Sequence, residues 1–258
     1  MNLINDFFAA QSEQTLVMFG LAIVLSIVFV IAGNYIKKQD PVKRPSKFMV
    51  IIDMYYGFIT GLHNSMFRGH CRSILAYAAM LIVFIVTMNW IGLITPFEPP
   101  TTDYNVPLGL VIISFGFKYA LEMKHMKKKE WFKTFVEPVP PMLPLNILEI
   151  VAKPLSMSMR LFGNILSGAL ILMIFSSALG GLQNMIFELP QVDGQPIFNL
   201  LNAIISPPLH FFFDIFFGTI QAFVFTLLTL VFSSLELDLD EMDEKEKKRM
   251  EQTALATE

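Results

Sequence analysis

The sequence contains a single cysteine and comparatively few charged residues. Of its 258 residues, 16% are charged and 54% are hydrophobic, whereas soluble domains carry about a quarter charged residues. Cys71 alone excludes an internal disulfide and a thiolate metal cluster, and a net charge of -3 gives no indication of a nucleic-acid partner. A phosphate-binding glycine loop is also missing, so we expect nucleotide chemistry to belong to partners. We also expect no metal site and no cofactor in this chain.

Long apolar runs dominate what is present, and roughly 20 apolar residues suffice for a membrane-spanning helix. The first run is preceded by Asp6 and Glu13, whereas a signal peptide begins with basic residues. We therefore interpret this run as a retained span and not as a signal peptide. The last two runs would extend about 54 Å as helices across about 30 Å of hydrocarbon, and we expect both to be strongly tilted. The predicted fold is an all-α integral membrane protein, a single membrane domain over residues 1–258. Its five spans are residues 15–36, 74–94, 106–121, 145–180 and 198–235.

Charges of opposite sign are sorted between the connecting segments. Segments 37–47 (KKQDPVKRPSK) and 118–133 (KYALEMKHMKKKEWFK) are basic, whereas residues 1–14, 96–105 and 180–196 contain no Lys or Arg. The positive-inside rule therefore places both basic loops in the cytoplasm and the N-terminus outside. The charged tail, residues 236–258, then also lies in the cytoplasm.

A further apolar segment, residues 48–67, is interpreted as an amphipathic helix at the cytoplasmic interface. Small or polar residues recur on it at helical spacing and form one stripe; they are Asp53, Gly57, Thr60, Gly61 and Asn64. The alternative is a sixth span, which would reverse the charge sorting of the later loops.

Polar side chains recur along one face of the fourth run, within about 80° of one another on a helix. They are Glu149, Lys153, Ser156, Arg160, Asn164 and Ser167. Arg160 lies about 23 Å along the axis from Leu145, and an arginine near the centre of a span costs about 2.5–3.5 kcal/mol on insertion scales. Such residues mark ion or proton pathways, although a static internal ion pair is the structural alternative.

The last run repeats this pattern with His210, Asp214 and Gln221, which an α-helix places on one face. Structural alternatives exist for each: His210 as an interfacial histidine, Gln221 as an interhelical hydrogen-bonding group, and Asp214 as the counter-charge of Arg160. Two polar stripes separated by a fixed cation would let protons approach from either side without passing straight through.

Three stretches resemble subunit a of F-type ATP synthases: KPLSMSMRLFGNILSG (153–168), DIFFGTIQAFVFTLLTLVF (214–232) and the loop PTTDYNV (100–106). The resemblance implies a non-catalytic stator subunit with two offset half-channels, whose arginine faces carboxylates on a ring of c subunits. It also implies a b-type stalk subunit, the rest of the ATP synthase and membrane lipid as partners. The expected location is a bacterial plasma membrane, with the mitochondrial inner membrane as the alternative.

By the same resemblance, Arg160 and Gln221 lie at the ring. It also assigns Asp103 and Asn164 to the outer path and Glu149 to the end of the inner path. The polar stripes themselves add His210 and Asp214 to the outer path and Ser156 and Lys153 to the inner path. Many bacterial members have a glutamate where this chain has Ala169, and we expect Asp214 to supply the missing acid. Two alternative functions remain, a self-contained secondary transporter and a purely structural membrane subunit, and the transported ion could be a proton or sodium.

Overall fold

The computed structural model describes residues 2–38, 46–94, 99–126, 131, 141, 143–187, 191–192, 195–196, 200–235, 237–244 and 247–248. Its α-helices are α1 (Asn2–Lys37), α2 (Lys47–Phe67), α3 (Arg72–Ile94), α4 (Asn105–His125), α5 (Leu143–Phe187), α6 (Leu200–His210) and α7 (Gly218–Ser234). A 3₁₀ turn, Pro100–Thr102, precedes α4, and a π-helical segment, Phe211–Phe217, joins α6 to α7. Two-residue strands β1 (Gln191–Val192) and β2 (Gln195–Pro196) pair antiparallel, with Gln191 opposite Pro196.

Five of the described helical stretches are long and apolar enough to cross a membrane, which confirms the predicted all-α membrane fold. They are Thr15–Lys37, Arg72–Gly92, Asn105–His125, Leu143–Gln183 and Asn202–Ser234. The helix α2 is not one of them, and its interfacial position remains a prediction. Parts of the acidic and basic loops that predict the orientation lie outside the described residues.

The last two spans are long helices. Helix α5 has 45 residues, about 68 Å at 1.5 Å per residue, so it exceeds the hydrocarbon thickness of about 30 Å even more than predicted. Pro207 and Pro208 lie inside α6 without interrupting it. The irregular backbone of this span is the π-helical segment that begins three residues after them.

The chain forms two compact units, and each helical span except α1 contributes to the burial within them. Unit 1 comprises Met1–Ser26, Val83–Val111 and Leu155–Val224, and unit 2 comprises Ile27–Ile82, Ile112–Pro154 and Phe225–Glu258. The single membrane domain remains a prediction.

Unit 2 contains an apolar cluster of buried side chains: Ile59, Phe67, Ile74, Ala78, Leu121, Leu230 and Leu237. Tyr77 strengthens it by stacking on Phe117 at 4.7 Å between ring centroids and by sharing a 2.7 Å hydrogen bond with Ser114. Apolar side chains contact lipid as favourably as they contact another span, so polar and aromatic contacts of this kind are what hold neighbouring spans together.

The turn between α2 and α3 also belongs to unit 2 and has unusual backbone angles. The side chain of Ser46 caps the start of α2 by accepting from the Met49 amide. At the other end Arg68 adopts the left-handed region (φ 51°), followed by Gly69 at φ 88°. Glycine adopts such angles without steric cost, which allows the chain to reverse into α3.

Unit 1 is packed around the middle of α3, the start of α4 and the C-terminal part of α5. Its buried apolar residues include Ile85, Met88, Val106, Leu110, Met157 and Leu161. Tyr104 joins the loop before α4 to α5, because its ring packs edge-on against Phe162 and its hydroxyl lies 3.2 Å from Ser158 Oγ. This packing positions the polar residues of the candidate site.

Candidate functional site

Arg160 lies on a face of α5 that the chain itself does not cover. Its side chain is exposed, and so are the apolar neighbours Leu155, Met159 and Leu166, with 45%, 58% and 43% of their surface accessible. Ser156, one turn before Arg160, is exposed on the same helix. In a span, such a face contacts lipid or another protein.

Within the described part of the chain, no hydrogen bond or ion pair involves Arg160. The Asp214 carboxylate instead lies 2.9 Å from His210 Nδ1. The static Arg160–Asp214 pair, which the sequence allowed, is therefore absent from these residues. An unpaired arginine is expensive in hydrocarbon, so its counter-charge has to come from outside the described residues.

Asp214 lines a small cleft in unit 1. The cleft measures about 30 Å³ and is bordered by Asn89, Pro99, Asn164, Ile165, Gly168, Phe213, Asp214 and Gly218. A polar site needs roughly 10–15 Å³ to hold one water molecule, so this space is large enough for a hydrated step. The structure thus brings together Asn164 and Asp214, two residues that the sequence assigned to the outer path.

Asn89 was not predicted as a site residue from the sequence, although its side chain links α3 to the start of α7 and to the loop before α4. Its Nδ2 donates to the Gly218 carbonyl at 3.0 Å, and its Oδ1 accepts from Thr101 Oγ1 at 3.2 Å. Asn164 Nδ2 donates to the neighbouring Phe217 carbonyl at 3.4 Å. The only signal in the sequence was an amide within an otherwise apolar run, which is also typical of ordinary interhelical contacts.

His210, Asp214 and Gln221 do not share the regular α-helical face that the sequence predicted. The intervening residues Phe211–Phe217 form a π-helix. A π-helical turn contains about one residue more than an α-helical turn, so the residues before it are rotated by about 100° relative to those after it, compared with a continuous α-helix. Gln221 is buried, with 7% of its surface accessible, whereas His210 is exposed. No hydrogen bond among the described residues joins Gln221 to Arg160.

Asp103 lies in unit 1, on the loop between the 3₁₀ turn and α4. Its Oδ1 accepts from both the backbone amide and the side-chain amide of Asn105, each at 3.1 Å. Its Oδ2 is buried and has no hydrogen-bond donor within the described residues. Asp103 follows the cleft residue Pro99 along the same loop but is not one of the residues that line the cleft.

The two ionisable residues assigned to the inner path belong to unit 2 and pair with each other. Lys153 Nζ lies 2.6 Å from Glu149 Oε1, one helical turn earlier. The same ammonium group lies 5.2 Å from the centre of the Phe232 ring, a favourable cation–π distance. The Glu149 side chain is 54% accessible, so the pair is open to its surroundings.

No group of three or more His, Cys, Asp or Glu side chains that could hold a metal ion occurs in the described ranges. The arrangement in unit 1 instead offers titratable and amide groups around a small hydratable space. This chemistry suits the transfer of a proton or the passage of a small cation.

Comparison with known proteins gives consistent relatives. Residues 15–234 match the family described as ATP synthase A chain. The chain is 28% identical over 237 residues to ATP synthase subunit a of Mycoplasma pneumoniae, covering 84% of this chain and 76% of the relative. It is 30% identical over 202 residues to that of Bacillus pumilus, covering 74% and 80%. A Propionigenium modestum protein named "ATP synthase subunit a, sodium ion specific" is 27% identical over 203 residues, covering 73% and 63%.

Proposed function

The chain belongs to the family of F-type ATP synthase subunit a, the ion-translocating subunit of the membrane sector, and on this premise we propose that it provides two offset half-channels for protons. The proposal rests mainly on Arg160, an exposed arginine on a span without a partner in the described residues. Family membership favours this function over a self-contained transporter. The positive charge of Arg160 would meet a carboxylate carried past it by a ring of c subunits.

In the outer half-channel, a proton enters past Asp103 and reaches the cleft between Asn164 and Asp214. Asp214 is the group that exchanges protons with the cleft, supported by its hydrogen bond to His210. Because Asp214 lines the cleft, it can supply the acid that Ala169 lacks. The proton then neutralises a ring carboxylate, which can cross lipid only in its neutral form.

At the other end of its rotation, the ring carboxyl reaches Arg160, whose charge favours the ionised form and releases the proton. The proton leaves past Ser156, Lys153 and Glu149 along the N-terminal part of α5. We also assign Gln221 to this interface on the family resemblance, although its side chain is buried within the chain in this structure. Each proton that falls through 100 mV releases about 2.3 kcal/mol, so several protons have to pass for each ATP.

The partners and orientation follow from this proposal. Nucleotide chemistry belongs to other subunits, and this chain is not itself an enzyme. Helix α1 is exposed along its span, with none of the stretch Thr15–Lys37 buried in the chain, which leaves it free for lipid and a b-type stalk subunit. The N-terminus lies outside, the tail lies in the cytoplasm, and the membrane is a bacterial plasma membrane.

The test is ATP-driven acidification of inverted membrane vesicles that contain the assembled synthase with Arg160→Ala. We expect acidification to fall to background while the complex assembles, because the ring carboxylates then lose the charge that discharges them. The matched control is Arg72→Ala, an exposed arginine at the first residue of α3, which should leave pumping unchanged.

The assay is run without sodium, since one relative is named as sodium specific. Wild-type vesicles that acidify without sodium support proton transport. Normal pumping by an assembled Arg160→Ala complex would overturn the role of Arg160, and a strict sodium requirement in wild type would overturn the choice of ion.

A further inference from the structure

The C-terminal end of the π-helical segment is held by side-chain amides from two other spans. Phe217 and Gly218 are the last π-helical residue and the first residue of α7, and their carbonyl oxygens accept from Asn164 and Asn89, respectively. A carbonyl oxygen has two lone pairs, so these bonds can coexist with helical ones. Two adjacent peptide groups are thereby tied to α5 and α3.

The Asn89 amide is hydrogen-bonded at both of its ends. The Gly218 carbonyl can only accept, so the amide nitrogen has to face Gly218, and the Asn89 oxygen is left to accept from Thr101 Oγ1. Both side chains are buried, with 4% of Asn89 and none of Thr101 accessible. The external loop, α3 and the start of α7 therefore form one connected hydrogen-bond chain.

Gly218 permits this close approach. A Cβ atom at position 218 would lie 3.1 Å from the Asn89 Cβ, which is tighter than ordinary van der Waals contact. The absence of a side chain at position 218 lets the Asn89 amide reach the backbone.

The π-helical segment sets the direction of Asp214, which is its fourth residue. If the segment relaxed to an α-helix, the register of the preceding residues would change by one, a rotation of up to about 100°. Asp214 borders the cleft in the π-helical arrangement, and such a rotation would move it away. π-Helical turns are rare and need support from their surroundings.

We propose that Asn89, anchored by a second hydrogen bond from Thr101, is a positioning residue that holds the π-helical segment and so keeps the Asp214 side chain at the cleft. The inference rests on the proposed function in assigning Asp214 to the outer path. It adds that Asn89 acts on Asp214 through the backbone at Gly218, without touching the transported proton.

The test measures the direction of residue 214 directly. Cys71 is the one cysteine in the sequence, so a Cys71→Ser background carrying Asp214→Cys has a single thiol. A membrane-impermeant thiol reagent is applied to the outer side of membranes that contain the assembled synthase. Adding Asn89→Leu should slow labelling by about fivefold, the population change expected from losing one hydrogen bond of typical strength.

The matched control is Thr87→Val, which removes a hydroxyl from α3 that bonds only within its own helix, to the Val83 carbonyl at 2.7 Å. It should leave labelling unchanged. Thr101→Val is a milder second variant, because it keeps Asn89 and removes only the hydrogen bond that anchors its oxygen, and it should slow labelling in the same direction. Unchanged labelling in Thr101→Val, or in an assembled Asn89→Leu chain, overturns the proposal.

A second readout separates positioning from simple structural support. With Asp214 restored, Asn89→Leu should shift the pH at which ATP-driven acidification is half-maximal, whereas a structural role alone would reduce the amount of complex at an unchanged pH profile. Labelling does not require ion transport, so it tests this inference even if Arg160→Ala pumps normally. Failure of the positioning role and failure of the proposed function are thereby distinguishable.

Discussion

Ionisable residues within the spans occur in two contrasting environments. Lys118 and Glu122 on α4 form a 2.6 Å ion pair whose side chains are only 9% and 3% accessible, and Trp131 Nε1 donates to the second Glu122 oxygen at 3.2 Å. Arg160 is exposed and has no partner in the described residues. The first charge has its counter-charge on the same helix, whereas the second has none among the described residues.

The buried Lys118–Glu122 pair leads to a prediction about stability. Lys118→Met or Glu122→Gln alone leaves one charge buried without its partner, and breaking such a pair costs about 3–5 kcal/mol. The double replacement should cost much less, because both charges are removed. Thermal unfolding of the purified chain in detergent, with Lys124→Met as an exposed control on the same helix, measures this difference. Equal losses in single and double variants would contradict the account.

At the level of elements, the junction between the π-helical segment and α7 depends on close contact with α3. Gly218 lies there with its hypothetical Cβ 3.1 Å from Asn89, whereas Gly109 on α4 has no atom within 4 Å of the corresponding position. The two glycines therefore differ in what an added methyl group would meet.

Gly218→Ala should destabilise the chain by about 1–3 kcal/mol, because an added methyl group overpacks a buried contact. Gly109→Ala should be neutral or slightly stabilising, since alanine is favoured over glycine in a helix by up to about 1 kcal/mol. Thermal unfolding of both variants under identical detergent conditions compares them. A Gly218→Ala chain as stable as Gly109→Ala would contradict the close approach.

The spans and Arg160 could be predicted from the sequence because their signals are local. An apolar run, or an arginine deep within one, can be recognised from the residues next to it in the sequence. The Asn89–Gly218 bond joins residues 129 positions apart, and no local pattern indicates such a partner. The π-helical segment could not be predicted for a related reason. The spacing of polar residues was interpreted with the regular 3.6 residues per turn of an α-helix, whereas hydrogen bonds from α3 and α5 support a π-helix there.

At the scale of the whole molecule, the start of the charged tail is attached to unit 2. Leu237 is buried with the apolar cluster, and Arg68 Nη1 lies 2.6 Å from Asp240 and 3.1 Å from Asp243. His70 Nε2 donates to the other Asp243 oxygen at 2.6 Å. Residues 237–244 are thereby docked on the turn between α2 and α3.

The docked segment should be released by acid. The hydrogen bonds from His70, and secondarily from Arg68, lower the pKa of Asp243 below its usual value. The stabilisation is therefore fully present above the ordinary aspartate range near pH ~4 and is lost as the pH falls through the lowered pKa. Hydrogen-exchange protection of residues 237–244, corrected for intrinsic rates, should decrease over that window.

Asp243→Asn should weaken this protection at neutral pH and remove much of its acid dependence. Glu244→Gln is the control, because Glu244 pairs with Lys248 within the tail itself. Protection that stays constant down to the lowest pH in the unsubstituted chain would show that these contacts do not hold the segment.

The account depends most on Arg160 as the charge that keeps the two half-channels from joining. The direct test is passive proton conductance of vesicles from which the peripheral ATPase sector has been stripped, with a potassium diffusion potential as the driving force. Arg160→Ala should conduct protons faster than unsubstituted or Arg72→Ala membranes at equal amounts of assembled membrane sector. Unchanged conductance would contradict the account, because it would mean that the arginine does not separate the paths.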